Sequence, residues 1–348
     1  MKNINVLLLT NSNSKREVEE LEKLSTERGV IFSAYVSEHG ELSFYEAEIG
    51  FQKKINIDYE QLPKYDVVIA CCDAASSYTV SGWISFICGY CFEKKIPVIG
   101  YICNPALYGK KLPPSIIYEA QDQASQADSG EYVNLMNQES CVEFLAGNYN
   151  CVLDYLDLQK EPIKAKKIAD TANTNNDGIY LAGPDIFRKD KLHYCSLQKA
   201  ILLQYNLKPE HPIDNNIIDD TSPWGIFQAD VGQINRSMAI FANLQPYAGQ
   251  EPDDGTMFEV GYGIAKGLPV YLYPGQLFSE IAGNTQNIEE LLSEKANKAF
   301  KEMLKSMKID DKYEYKQQGF NVYGYIPEFI LNTIPKTDSL KACCEQFS

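Results

Sequence analysis

Histidine is scarce in this chain. His39, His193 and His211 are the only three among 348 residues, and they lie far apart. Cys88-Gly-Tyr-Cys91 matches half of a redox or zinc motif, yet no second pair follows at metal-ligand spacing, so neither a metal nor any other cofactor is expected. Basic residues are outnumbered. Thirty-two Lys and Arg face 47 Asp and Glu, and a formal charge of −15 argues against a nucleic-acid or anionic-membrane surface, both of which reward clustered cations. A neutral or cationic ligand fits better. Long apolar runs are also missing: Ile4–Leu9 lacks the length and the cleavage-site flank of a signal peptide, and no stretch approaches the roughly 20 apolar residues of a membrane helix. A cytoplasmic location is the expectation. Cysteine is plentiful, at ten residues, but these sit in apolar runs such as Val67–Cys72 rather than at framework spacing, which reads as buried, reduced thiols.

What is present is an alternation. Asn5–Thr10 reads as a buried strand and Ser14–Glu27 as an amphipathic helix; apolar runs recur at Val67–Cys72 and Pro97–Tyr101 with a helical stretch, Trp83–Phe92, between them. Strands alternating with helices predict a parallel sheet covered by helices. From Lys160 to Asp177 the chain turns polar and reads as a linker. The pattern then restarts, with a strand and loop at Ile179–Gly183, strands at Ala239–Leu244 and Pro269–Tyr273 and a helix near Tyr194–Gln204.

The restart is a repeat. Sliding the chain on itself by 172 residues aligns Asp58–Tyr101 with Asp230–Tyr273 without a gap, pairing Ala70 with Ala242, Phe86 with Phe258, Gly89 with Gly261, Tyr90 with Tyr262 and Pro97 with Pro269. The expected fold is therefore α/β, two tandem doubly wound parallel-sheet domains of flavodoxin or Rossmann type. Residues 1–159 and 178–348 are the domains and 160–177 the linker; together they would form a pseudo-dimer.

The repeat separates fold from chemistry. The stretch Asp253–Tyr262 reads as a loop with a tight turn at Gly255 that enters a helix, with Glu259 in its first turn, where the helix N-terminus would help keep it ionised. An acidic first turn is also a common helix-start signal. Gly261 and Tyr262 have counterparts in the first copy and need only a packing role. Glu259 does not: its partner is Ile87, and that of Asp253 is Ser81. An apolar replacement suits a position that faces a pocket in one copy and a filled core in the other.

The second half resembles the nucleoside 2-deoxyribosyltransferases, through Tyr180-Leu-Ala-Gly-Pro184-Asp-Ile-Phe187, Asp230-Val-Gly-Gln-Ile234, Ala242-Asn-Leu-Gln-Pro-Tyr-Ala-Gly249 and Asp253-Asp-Gly-Thr-Met-Phe-Glu259-Val-Gly-Tyr262, in order over roughly 178–275. The first half resembles a degenerate copy. The chain departs from the family pattern at Ala248, where many relatives carry Arg, and in a polar insertion, Ser279–Lys316. The family's last motif, an Asn followed by two apolar residues that a neighbouring subunit supplies, is matched by Asn134-Leu-Met136 in the first half and less closely by Asn332-Thr-Ile334 in the second, with Asn321 a rival.

The resemblance implies a reaction between a 2′-deoxynucleoside and a free nucleobase. Glu259 would be the nucleophile, Tyr180 would orient it, and Asp230 or Asp253 would protonate the leaving base; Asp253 would otherwise hold a sugar hydroxyl. Gly183, Pro184, Asn243, Gly255 and Thr256 would line the substrate site, completed by Asn134 or Asn332. Plainer roles stay open at this point: Tyr180 as a core aromatic, Asp230 as a helix-face charge, Asn243 as a strand-end turn residue and Asn134 as a helix cap. So do hydrolysis in place of transfer, nucleoside binding without turnover, and assembly of pseudo-dimers into a homo-oligomer.

Overall fold

The computed structural model describes residues 4–11, 15–38, 41–46, 49–53, 55–73, 79–106, 131–168, 176–187, 191–217, 220–245, 251–273, 275 and 334–348. Ala248, Asn321, Asn332 and the whole 279–316 insertion lie outside them.

Seven strands form the first sheet: β1 (Ile4–Thr10), β2 (Val30–Glu38), β3 (Glu41–Glu46), β4 (Gly50–Lys53), β5 (Val67–Cys71), β6 (Val98–Ile102) and β7 (Glu143–Ala146), in spatial order β4-β3-β2-β1-β5-β6-β7. Strands β2, β1, β5, β6 and β7 are parallel. The expected all-parallel sheet is thus corrected at one edge, where β3 and β4 add an antiparallel hairpin. The chain leaves β1 towards β2 on one side and β5 on the other, a doubly wound order whose switch point lies between β1 and β5. Helices α1 (Lys15–Glu27), α2 (Gly82–Glu93), α3 (Leu135–Ser140) and α4 (Tyr149–Leu158) belong to this half.

The second sheet is parallel throughout: β8 (Gly178–Ala182), β9 (Lys208–Glu210), β10 (Ser237–Asn243) and β11 (Val270–Tyr273) in the order β11-β10-β8-β9, extended past β11 by a parallel bridge between Leu272 and Lys336. Helices α5 (Lys191–Gln204), α6 (Pro223–Asn235), α7 (Asp254–Lys266) and α8 (Leu340–Phe347) accompany it. The 172-residue spacing recurs in the elements. Strands β5 and β10 end at Cys71 and Asn243, α2 and α7 begin at Gly82 and Asp254, and β6 and β11 begin at Val98 and Val270. At the 172-residue spacing the described counterpart of α6 holds the end of β4, an irregular stretch and the start of a 3-10 turn, Leu62–Lys64, so Asp230 lies on a helix while its sequence partner Asp58 does not.

Helix α2 is apolar on every side, as a helix covered on every side must be. One face meets its own sheet and another meets α7. The backbones touch: a Cβ added at Gly89 would lie 2.0 Å from the Phe258 carbonyl oxygen, and one at Gly261 would lie 1.9 Å from that of Phe86. This contact is self-complementary, since position 89 meets 258 as 261 meets 86. Around it Phe92 packs edge-on against Phe227 with centroids 5.0 Å apart, and Phe227 against Phe258 at 5.7 Å, within one apolar core that draws on both sheets. Cys88 and Cys91 are buried members of that core. The described part of 160–177 is irregular in backbone but packed, with Ile163 and Ile168 against apolar cores and the Lys166 ammonium 5.3 Å from the centre of the Trp224 ring. No helix among the described residues is long and apolar enough to cross a membrane.

Candidate active site

Strand alternation selects Tyr180. In β8, Ile179 and Leu181 point into the core shared with α5, whereas Tyr180 and Ala182 point into the core shared with α7. Tyr180 is the third of five strand residues, and it is fully buried. Its hydroxyl donates to Glu259 Oε1 at 2.5 Å. It is therefore a core aromatic and the partner of the carboxylate at once.

Glu259 is not in the first turn of its helix. Helix α7 starts at Asp254, so Glu259 is its sixth residue, and the N-terminal amides are used by Asp253, whose Oδ2 accepts from the Thr256 N–H at 2.7 Å and from its hydroxyl at 2.8 Å. The dipole effect falls off within the first turn. What favours the charged form of Glu259 is instead the Tyr180 hydroxyl. Against it stand burial, the largest effect, and the charges of Asp230 and then Asp253, which together push the Glu259 carboxyl well above the usual range. Burial first, then Glu259 and Asp230, push the Tyr180 hydroxyl up as well. Asp230, on α6, is itself buried, so three carboxylates and one phenol share a site of low polarisability. Asp253 is raised by burial and by Asp185, and its Oδ1 is buried with no partner among the described residues.

Gly255 does not make a tight turn; it lies inside α7, and its role is close approach. A Cβ there would come within 2.8 Å of Asn134 Nδ2 and 2.9 Å of Oδ1. Asn134 caps α3, accepting from the Met136 N–H at 2.9 Å, so the cap reading holds while the same side chain abuts the helix that bears Glu259. The stretch after α3 is β7 followed by α4.

Asn243 ends β10 fully buried. Its Nδ2 donates to both oxygens of Asp185, at 3.1 and 3.2 Å, and its Oδ1 accepts from the Gln245 N–H. Its amide thus organises a turn and a carboxylate. Gly183 has room for no side chain, since a Cβ would lie 2.8 Å from Asp185 Oδ2; Pro184 is buried and opens the 3-10 turn Pro184–Phe187.

Sequence reasoning passed over Asp185, Gln198 and His211. Gln198 Nε2 donates to Asp185 Oδ2 at 2.8 Å and to the Tyr273 hydroxyl at 2.9 Å. His211 Nδ1 accepts from the Ile213 N–H, which assigns the ring proton to Nε2 for donation to Gln198 Oε1 at 3.1 Å. Burial, reinforced by Lys199, lowers His211 to about 3, and it is neutral at ordinary pH. A buried polar chain thus runs from His211 to Asp185 beside the carboxylates. The signal available was the acid inside Tyr180–Phe187; nothing local marks Gln198 or His211.

The first half holds apolar groups at the equivalent positions. Leu7 pairs with Val68 as Tyr180 pairs with Ile240, 172 residues on, so Leu7 stands for Tyr180; Ile87 stands for Glu259, and both are fully buried. Trp83, buried with its Nε1 bonded to Asn11 Oδ1 at 2.8 Å, stands for Gly255, a bulky indole where the second half has no side chain. Among the described residues no group of three or more His, Cys, Asp or Glu is arranged to hold a metal ion.

The match to a known family falls in the second half of the chain. Residues 179–313 match the family model described as nucleoside 2-deoxyribosyltransferase. A 2-desoxiribosyltransferase from Leishmania mexicana is 33% identical over 28% of this chain and 63% of its own, with a TM-score of 0.26, so the match spans under two thirds of that protein. The glycosyltransferase SnogD from Streptomyces nogalater is 10% identical over 99% of both chains with a TM-score of 0.22, too low to relate the folds. No curated protein matches. Residues 179–313 of this chain are thus similar to the nucleoside 2-deoxyribosyltransferases, the family whose model they match.

Proposed function

We propose that the chain transfers 2-deoxyribose between nucleobases through a covalent glycosyl intermediate on Glu259. The observation that carries this reading is the 2.5 Å bond from the Tyr180 hydroxyl to Glu259, within reach of the charges of Asp230 and Asp253. Crowded buried carboxylates cannot all ionise together. The Tyr180 bond favours Glu259 as the ionised member, which leaves Asp230 or Asp253 to carry the proton.

Glu259 attacks C1′ of a 2′-deoxynucleoside; the N-glycosidic bond breaks with its electron pair passing to the base, which takes the proton from the neighbouring acid. A nitrogen of a second base then attacks C1′, the bond to Glu259 breaks, and the incoming base returns its proton to the acid. Asp253, with an oxygen to spare, also suits a sugar hydroxyl. Gly183, Pro184, Asn243, Gly255, Thr256 and Asn134 form the substrate site in this reading, with Asn332 the alternative to Asn134.

In the same reading the chain is a pseudo-dimer of domains 1–159 and 178–348 joined by 160–177. The isologous contact at Gly89 and Gly261 supports it, and the first domain is inert because Leu7, Ile87 and Trp83 stand where chemistry and access would be needed.

The test is incubation with a 2′-deoxynucleoside with and without a different free base, followed by chromatography and intact-protein mass. Exchange into the second base and an adduct of one deoxyribosyl group on the protein are expected, both lost in Glu259→Ala. Base release without exchange would replace transfer by hydrolysis, and no turnover across a range of deoxynucleosides would refute both.

A further inference from the structure

Helix α2 does not cap itself. Ser81 occupies its N-cap without a side-chain bond, although the first amides of a helix need acceptors. Two acceptors arrive from the other half, one for the first amide of the helix and one for the residue before its cap. The Gly82 N–H donates to Glu251 Oε2 at 2.7 Å, and the Val80 N–H to Asp254 Oδ2 at 3.2 Å. Both carboxylates are buried, Glu251 at 5% exposure and Asp254 at none, and they flank Pro252 and Asp253. The segment that delivers Asp253 to the site is therefore clamped, on both sides of that residue, to the start of the inert half's helix.

The carboxylates of the clamp belong to one half only. At the 172-residue spacing Val80 corresponds to Pro252, which has no N–H to donate, while Glu251 corresponds to Thr79 and Asp254 to Gly82, neither of which carries a carboxylate. Helix α7 is capped by its own Asp253 instead. A hydrogen bond to a buried carboxylate is among the stronger ones, because the charge has little water to fall back on.

We propose that Glu251 is a positioning residue for the reaction set out above, holding Asp253 and the first turn of α7 in register by accepting the Gly82 N–H. On this view the inert half contributes a backbone donor as well as Asn134. The inference rests on the proposed transferase activity, and its test separates the two.

The donor can be removed from the opposite half while Glu251 is kept, the proline Cδ displacing the carboxylate from the place where the amide hydrogen stood. Proline is tolerated at the first position of a helix, so Gly82→Pro deletes the N–H that donates to Glu251 Oε2. Gly82→Ala keeps the N–H and controls for the added carbon, which would meet the side chains of Met257 at 3.2 Å and Pro252 at 3.4 Å. We expect Glu251→Ala and Gly82→Pro each to lower kcat about 10- to 30-fold, the double variant to fall no further, Glu251→Gln to recover to within about threefold of wild type, and Gly82→Ala to stay within about twofold. Losses that multiply in the double variant, or wild-type kcat in Glu251→Ala, would overturn the proposal. Hydrogen exchange of the peptide covering 251–259 decides the matter without turnover. Faster exchange there in Gly82→Pro, a change in the opposite half, supports the clamp, and unchanged exchange refutes it. A wild-type protein that fails to transfer deoxyribose would sink the proposed function alone.

Discussion

Replacing Tyr180 by Phe removes one oxygen and leaves the ring that fills the core between β8 and α7. The lost atom is the donor to Glu259 Oε1, and both residues are buried, so no water replaces it at full strength. A hydrogen bond to a charged group is worth ~1.5–3 kcal/mol, and a tenfold rate change corresponds to ~1.4 kcal/mol. Tyr180→Phe should therefore lower kcat/KM for base exchange about 10- to 150-fold near neutral pH. The direction in pH follows from the same bond. Tyr180 pulls the Glu259 carboxyl down against burial and the Asp230 charge, so its loss raises that carboxyl further, and the acid limb of the rate profile moves to higher pH by ~1–2 units. The assay is kcat/KM from pH 5 to 9 for wild type and Tyr180→Phe, with the melting temperature checked at each pH. A variant within twofold of wild type, with an unmoved acid limb, would mean that the phenol neither orients nor ionises Glu259.

Glu259→Gln should abolish transfer and yet raise the melting temperature at pH 7–8 by about 2–5 °C, because the ionised carboxylate is buried against its will. The folded-state pKa of Glu259 lies above its unfolded value, so the stability it contributes is fully present below about pH 4.5 and is lost as pH rises through the folded pKa; the difference between the two proteins should shrink towards zero as pH falls to about 4.5, which a calorimetric series would check. Gly261→Ala should cost about 3 kcal/mol or more, since its Cβ would lie 1.9 Å from a backbone oxygen that cannot swing aside as a side chain can. Gly267→Ala, at a helix C-cap with φ +82° and nothing within 4 Å of the added carbon, should cost only about 1 kcal/mol, and equal melting temperatures for the two variants would refute the packing argument.

The sequence by itself determined the alternation of strands and helices, the spacing of 172 and the acids kept in one copy only. These are readable because burial imposes local periods and because a repeated element repeats its packing residues: α2 and α7 begin 172 residues apart, and Gly89 and Gly261 both lie where helix backbones touch. Where packing acts at a distance, the sequence was silent or misleading. It read Gly255 as a turn and Glu259 as a first-turn acid, but the helix begins at Asp254; it had no means of joining His211 and Gln198 to Asp185, because that chain is built from three separate elements. The β3–β4 hairpin was missed because half-exposed edge strands carry weak periodicity. Only the tertiary structure decided which groups meet. Tyr180 and Glu259 are 79 residues apart and share a hydrogen bond; Gly82 and Glu251 are 169 apart and share another. The physical reason is common to all of these. Periodicity is written one residue after the next, whereas the charge a buried carboxylate carries depends on neighbours that only the packed chain brings to it.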